Sequence, residues 1–277
     1  MPRATISPAA TSLVVAVLFV VPATGCRGLL KLDDLHFDSD GGEDAHCFAA
    51  CGSAECGQCP DVPLVSVPTP GGDSFEIDAT EVTNAAYANF LAAGVSISQQ
   101  SQECAWNTTY LPRLEWPPAD ADAHRPVVFV NWCDAAAYCR WAGKRLCGKI
   151  GGGSNGYNDY KDPKLDQWYA ACSAGGLSTY PYGNTYDQGA CNGVDYHANK
   201  TLDVAQLSAC QGGYPNLYDM SGNVAEWEDA CAGDTCRVRG GAFDHTSTPM
   251  LLACDGSFDA YARGADAERV GFRCCTP

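Results

Sequence analysis

At 277 residues the chain is long enough for one sizeable domain with a leader and a tether. Its formal charge of −16 disfavours nucleic acid and anionic membrane surfaces as partners, since both demand a positive face. Seventeen cysteines would be reactive thiols in a reducing compartment, so their number points to an oxidising, extracytoplasmic one.

The first residues agree with export. Arg3 gives a positive start, and Thr11 to Val21 is an apolar run too short to span a bilayer. Ala23-Thr24-Gly25-Cys26 resembles a bacterial lipobox, which makes residues 1–25 a signal peptide and Cys26 a lipidated residue. The simpler alternative is cleavage near Gly25 with Cys26 left as an ordinary cysteine. Any membrane contact is expected through that lipid anchor alone. Residues 26–61 read as an acidic, cysteine-containing tether: Asp33, Asp34, Asp38, Asp40, Glu43 and Asp44 lie in a stretch with little apolar periodicity. Cys47, Cys51, Cys56 and Cys59 could hold zinc by spacing, but in an oxidising compartment they read as two disulfides of open pairing.

The main domain is expected over 62–277. Ser74 to Asp78 alternates as a strand does. Thr83 caps a helix with Tyr87, Phe90 and Leu91 on one face and Gly94 at its end. Pro126 to Val130 reads as a buried strand. Asn131 then caps a second helix, with Asp134 near its positive end, and Trp132, Ala136, Cys139, Gly143 and Leu146 recur at helical spacing. Residues 148–162 read as an irregular insertion, 165–172 as a third short helix, and the remainder as turns and short strands. Twenty-nine glycines suit a fold held by turns.

The run Leu217-Tyr218-Asp219-Met220-Ser221-Gly222-Asn223-Val224-Ala225-Glu226-Trp227 is the most informative in the chain. It resembles the signature of the formylglycine-generating enzyme, or sulfatase-modifying factor, family. Pro126 to Leu146 is a second match. Gln167 to Cys172, Tyr182-Gly183-Asn184, Arg239-Gly240-Gly241-Ala242-Phe243 and Gly271-Phe272-Arg273-Cys274 follow in family order, and Thr80 to Asn84 also resembles it. One motif would be weak; six in order over roughly residues 73–277 argue against chance. The resemblance implies an α+β domain, a loop-rich variant of the C-type lectin architecture stapled by disulfides. It implies the pairs Cys139–Cys274 and Cys172–Cys254. Cys231 with Cys236, and Cys191 with Cys210, could form local bridges.

The family's formylglycine-forming members oxidise a peptidyl cysteine with copper(I) and oxygen, holding the metal on two thiolates. Counted from Gly241, the matching positions here are His245 and Met250. Copper is therefore not expected there, although His and Met could in principle form a rebuilt site; a surface histidine and a core methionine is the plainer expectation. The resemblance also implies a structural calcium on the side chains of Asp219 and Glu226 and the carbonyls of Gly222 and Val224, with a poorer second site at Asn192 and Gly193. Arg239 and Arg273 are expected in buried ion pairs or as carbonyl clamps, and Trp132, Trp141 and Trp227 in the core. The function that follows is a non-oxidase binding or scaffold module for a peptide, a glycan or another surface protein. The alternative is an oxidase, or a related metal-dependent oxidoreductase, acting on a peptidyl cysteine with rearranged ligands.

Overall fold

The computed structural model describes residues 47–113, 116–245, 249–256 and 260–276. The leader, Cys26 and the acidic stretch lie outside the described residues. Strands β1 (Leu64–Pro68) and β2 (Ser74–Asp78) form a hairpin whose burial alternates along each strand, the period-two pattern of a half-buried pair. Helix α1 (Asn84–Ala92) follows, its free N-terminal amide at Ala86 bonded to the Thr83 hydroxyl. Helix α2 (Trp132–Trp141) begins with a capping box. The Asn131 side chain accepts from Cys133 and Asp134, and Asp134 accepts from the Asn131 amide at 2.9 Å. Strand β3 (Arg145–Leu146), helix α3 (Gln167–Cys172), strands β4 (Ala225–Ala232), β5 (Thr235–Arg239), β6 (Ala260–Ala262), β7 (Val270–Phe272) and β8 (Cys274–Cys275) complete the order.

The strands make two four-stranded sheets, β1-β2-β8-β3 and β6-β5-β4-β7. Every pairing is antiparallel except β4 with β7. One core, between the first two helices and the second sheet, gathers Tyr87, Phe90, Tyr138, Trp141, Trp227 and Phe272. Its rings meet edge-on or tilted, as in Tyr138 with Phe272 at 5.3 Å, the arrangement favoured by aromatic quadrupoles. Burying a ring such as Phe90 contributes about 1.5–3 kcal/mol. The other core joins Val65, Val67, Phe75 and Ile77 of the hairpin to Trp168 and Cys172 of α3 and to Leu217 and Met220.

Three expectations change. Pro126 to Val130 is not a strand: beyond an isolated bridge of Pro126 to Thr83, Phe129 at φ 59 breaks the extended run, and the segment is tied by Val127 to Val82 and by Phe129 to Ala267. Helix α2 is buried nearly all round, on Cys133, Ala135, Ala137, Tyr138, Cys139 and Trp141, while Trp132 is only half-buried and Gly143 is exposed. The cysteine knot belongs to the domain. Cys47 and Cys56 are buried, the Cys47 amide bonds Gly94, and the Trp141 indole donates to the Cys56 carbonyl at 2.9 Å. The packed domain therefore reaches back at least to Cys47, ahead of the expected start at residue 62.

The sixteen cysteines among the described residues form eight disulfides. Those in the knot are Cys47–Cys56 and Cys51–Cys59. Cys139–Cys274, Cys172–Cys254, Cys231–Cys236 and Cys191–Cys210 are present, and Cys104–Cys133 and Cys147–Cys275 take up the rest. So many pairs indicate an extracytoplasmic, oxidising setting. Among the described residues no helix is long and apolar enough to cross a membrane.

Candidate functional site

The 217–227 run folds as a tight turn feeding β4, and its residue types follow from that turn. Asp219, Gly222 and Asn223 all have positive φ, at 59°, 74° and 59°. At Gly222 an added Cβ would lie 2.5 Å from the Asn192 carbonyl oxygen, so only glycine fits. Asn223 is the hub. Its amide donates to Asn192 O at 2.8 Å, its Nδ2 donates to Glu81 Oε1 at 3.1 Å, and its Oδ1 accepts from Leu202 N at 2.8 Å. Its carbonyl accepts from Phe243 N at 3.0 Å, which ties the turn to the Arg-Gly-Gly loop.

Behind the turn lies a buried charge cluster. Arg273 donates from Nε to Glu226 Oε2 and from Nη2 to Glu226 Oε1, both at 2.7 Å. The Trp168 indole adds a third bond to Glu226 Oε2 at 2.8 Å. Arg273 also clamps the carbonyls of Asp78 and Tyr218. Asp219 accepts from the Ala205 amide at 2.6 Å, and burial pushes its carboxyl up to about 6. Glu81 beside it is raised well above the usual range by burial and then by the charge of Asp219.

Glu226, expected among the calcium ligands, is therefore turned to Arg273, which neutralises it. Asp219 and Glu81 lie side by side with a hydrogen bond between their side chains, and the raised titration of both fits a proton held between them; oxygens of this kind fit a hard cation once that proton leaves. Sequence reasoning did not single out Glu81 as a partner, although it lies in the Thr80-to-Asn84 match. Asn192 donates to Lys200 O at 3.0 Å and to Asn223 Oδ1 at 3.1 Å, so its Nδ2 serves the turn. Its neighbour Gly193 bonds the Cys191 carbonyl. Among the described residues no three His, Cys, Asp or Glu side chains converge on one metal position.

A second buried cluster surrounds Arg239. It reaches Glu228 at 3.2 Å and Asp166 at 3.7 Å, donates to the Cys254 carbonyl at 2.7 Å, and lies 4.6 Å over the Trp168 ring. Burial, then the Glu228 charge, raises the Asp166 carboxyl well above its ordinary range. Arg273 thus ties the second sheet, at Glu226, to the first, at Asp78, while Arg239 ties the second sheet to the cap of α3 and to the Cys254 carbonyl. Trp141 and Trp227 are core residues, the latter donating to Val130 O at 3.0 Å. Half-buried Trp132 donates to Glu228 O and receives Arg263 over its ring.

The loop after Gly241 reverses the expected orientation of its two soft side chains. His245 is 5% exposed and lines a cavity of about 10 Å³ with Val238, Gly240 and Leu251. Met250 is 72% exposed. One faces the interior and the other solvent, and the nearby Cys254 is bonded to Cys172. This donor set does not fit a two-thiolate copper(I) centre. Leu252, not Met250, fills the space against Tyr180. Next to it Tyr182 to Gln188 line an open groove of about 600 Å³, and Leu177 nearby is 79% exposed.

The chain is 30% identical over 173 residues to the inactive C-alpha-formylglycine-generating enzyme 2 of Mus musculus, covering 54% of this chain and 49% of that protein. It is 30% identical over 198 residues to the formylglycine-generating enzyme of Streptomyces coelicolor, covering 55% and 56%. The chain thus spans about half the length of these curated relatives. Among solved structures, Treponema denticola variable protein 1 superposes with a TM-score of 0.49 at 17% identity, over 78% of this chain and 93% of that one. The model of the sulfatase-modifying factor enzyme 1-like domain matches residues 47–276, and the chain belongs to that family.

Proposed function

We propose that this is an extracytoplasmic binding or scaffold module of the family, held to the envelope by a lipid on Cys26, that does not carry out copper-dependent oxidation. The observation that carries the reading is the loop after Gly241: an interior His245 and a solvent-facing Met250 stand where two thiolates would be needed, and every cysteine among the described residues is paired. The loop surface suits contact better than catalysis. Exposed Leu177 and Met250 flank the bond from Cys254 N to Thr179 O, beside the groove at Tyr182 to Gln188. Its ligand would be a peptide, a glycan or another surface protein.

Calcium would be structural. Asp219, with Glu81 beside it and the carbonyls of Gly222 and Val224 in the same turn, would hold it, supplying positive charge to a cluster that otherwise strains to keep two carboxyls buried. Calcium added to chelator-treated protein at pH 7 is expected to raise Tm, and Asp219→Asn to abolish the rise. An unchanged Tm in the native protein would remove calcium from the account.

The test of the main reading is a copper(I) titration of the oxidised, folded protein against a competing chelator, with His245→Ala alongside. No stoichiometric binding is expected. Tight binding lost in His245→Ala would instead establish a rebuilt metal site and return the protein to the oxidoreductases.

A further inference from the structure

We infer that the outer edge of β1 is a docking site for an extended, non-acidic segment of another polypeptide, which adds to the first sheet as a fifth strand. The inference is independent of the reading of the loop after Gly241. Among the described residues, β1 is paired only through β2. The Ala79 amide donates to Pro63 O, and the Thr69 amide to Asp73 O, so odd-numbered residues face β2. In an antiparallel pair the alternate residues point away, which directs the N–H and C=O of Leu64 and Ser66 outward. These are the donors and acceptors that an incoming strand satisfies.

Three further features distinguish this edge from a passive one. It borders a cavity of about 550 Å³ whose lining includes Leu64, Val65 and Ser66 of β1 together with Tyr214, Pro215 and Tyr218. That is the size of a ligand pocket, and β1 residues contribute to its lining. Exposed edges are commonly blunted by charge, yet Leu64-Val65-Ser66-Val67 carries none. Pro63 and Pro68 bound the run instead, limiting the open edge to a short segment. The uncharged lining and the formal charge of −16 select against acidic peptides. The occupant is therefore a short, neutral-to-basic, extended peptide with an apolar side chain set between Tyr214 and Pro215.

The test is selection of random seven-residue peptides on the full-length oxidised chain, followed by amide exchange with the best peptide bound. Selected peptides should be rich in β-branched and aromatic residues. They should slow exchange at Leu64 and Ser66, and N-methylation at every other peptide position should weaken binding at least tenfold while the intervening positions tolerate it. Ser66→Pro, which removes only an outward amide, should also weaken binding at least tenfold. The peptide N-methyl series keeps the test valid if that variant fails to fold. Peptides that bind without slowing Leu64 and Ser66, no selected binder, or full protection of both amides in the free chain would each refute the inference, the last by showing that the chain already covers this edge itself.

Discussion

Glu226 and Arg273 show how much depends on a single pair. Both are buried, joined by two bonds of 2.7 Å, and the same arginine ties the hairpin carbonyl at Asp78 to the turn at Tyr218. Removing one partner leaves an uncompensated buried charge, so Glu226→Gln is expected to cost about 3–5 kcal/mol, read from urea unfolding. Asp219 makes the opposite kind of statement. Its carboxyl titrates near 3.8 ordinarily and near 6 when folded, because burial disfavours its charge. Between those values the folded chain holds the extra proton. Stability present below pH 4 is therefore lost as pH rises through 6. In chelator the Tm of the native protein should fall more between pH 4 and pH 7 than that of Asp219→Asn. The sequence carried the identities of these residues but not their pairing. An arginine in a Gly-Phe-Arg run announces a buried cation, yet Glu81, Asp219, Glu226 and Glu228 are all candidate acids until the chain is folded. The orientation of His245 and Met250 was illegible for a related reason. Polarity predicts histidine outside and methionine inside, but here Leu252 takes the apolar position against Tyr180.

At the scale of elements, what was legible was what is local. Thr83, Asn131 and Asp166 each cap a helix through their own side chains; the first two are the caps expected from sequence, whereas Asp166 falls inside the span expected for the third helix. Asn131→Ala should cost about 1–2 kcal/mol, measurable by thermal unfolding, because Asn131 also bonds Asn107, which in turn holds Asp134. Pro126 to Val130 was misread because Val-Val-Phe-Val has the composition of a buried strand. Its burial is real for Val127 and Val130, but its hydrogen bonds go to Val82 and Ala267, which lie far off in sequence. The cysteine knot was misplaced because acidic composition upstream suggested a tether, whereas Gly94 and Trp141 draw the knot onto the domain.

For the whole molecule, covalent closure does what regular structure does in other folds of this size. Cys139–Cys274 and Cys147–Cys275 span 135 and 128 residues, so each removes much of the freedom of the unfolded chain. The double change Cys147→Ser and Cys275→Ser is expected to lower stability by about 2–5 kcal/mol, seen as a reduced urea midpoint with little change in the oxidised far-UV spectrum. The count of cysteines announced such staples; spacing alone could not say which of the last two cysteines pairs with which helix-side partner.

Cys274 and Cys275 are neighbours in one short strand, so their side chains leave on opposite faces: one reaches Cys139 in the aromatic core, the other Cys147 in the core beneath the hairpin. Both upstream partners leave the ribosome long before either match exists. During oxidative folding, then, Cys139 and Cys147 stand as unmatched thiols, and an oxidant that paired cysteines in order of appearance would join Cys104 to Cys133 correctly but Cys139 to Cys147 wrongly. Maturation of this domain should need a thiol-disulfide isomerase rather than an oxidase alone, and the two adjacent cysteines act as the final lock on a sequence of exchanges that only the whole domain can complete.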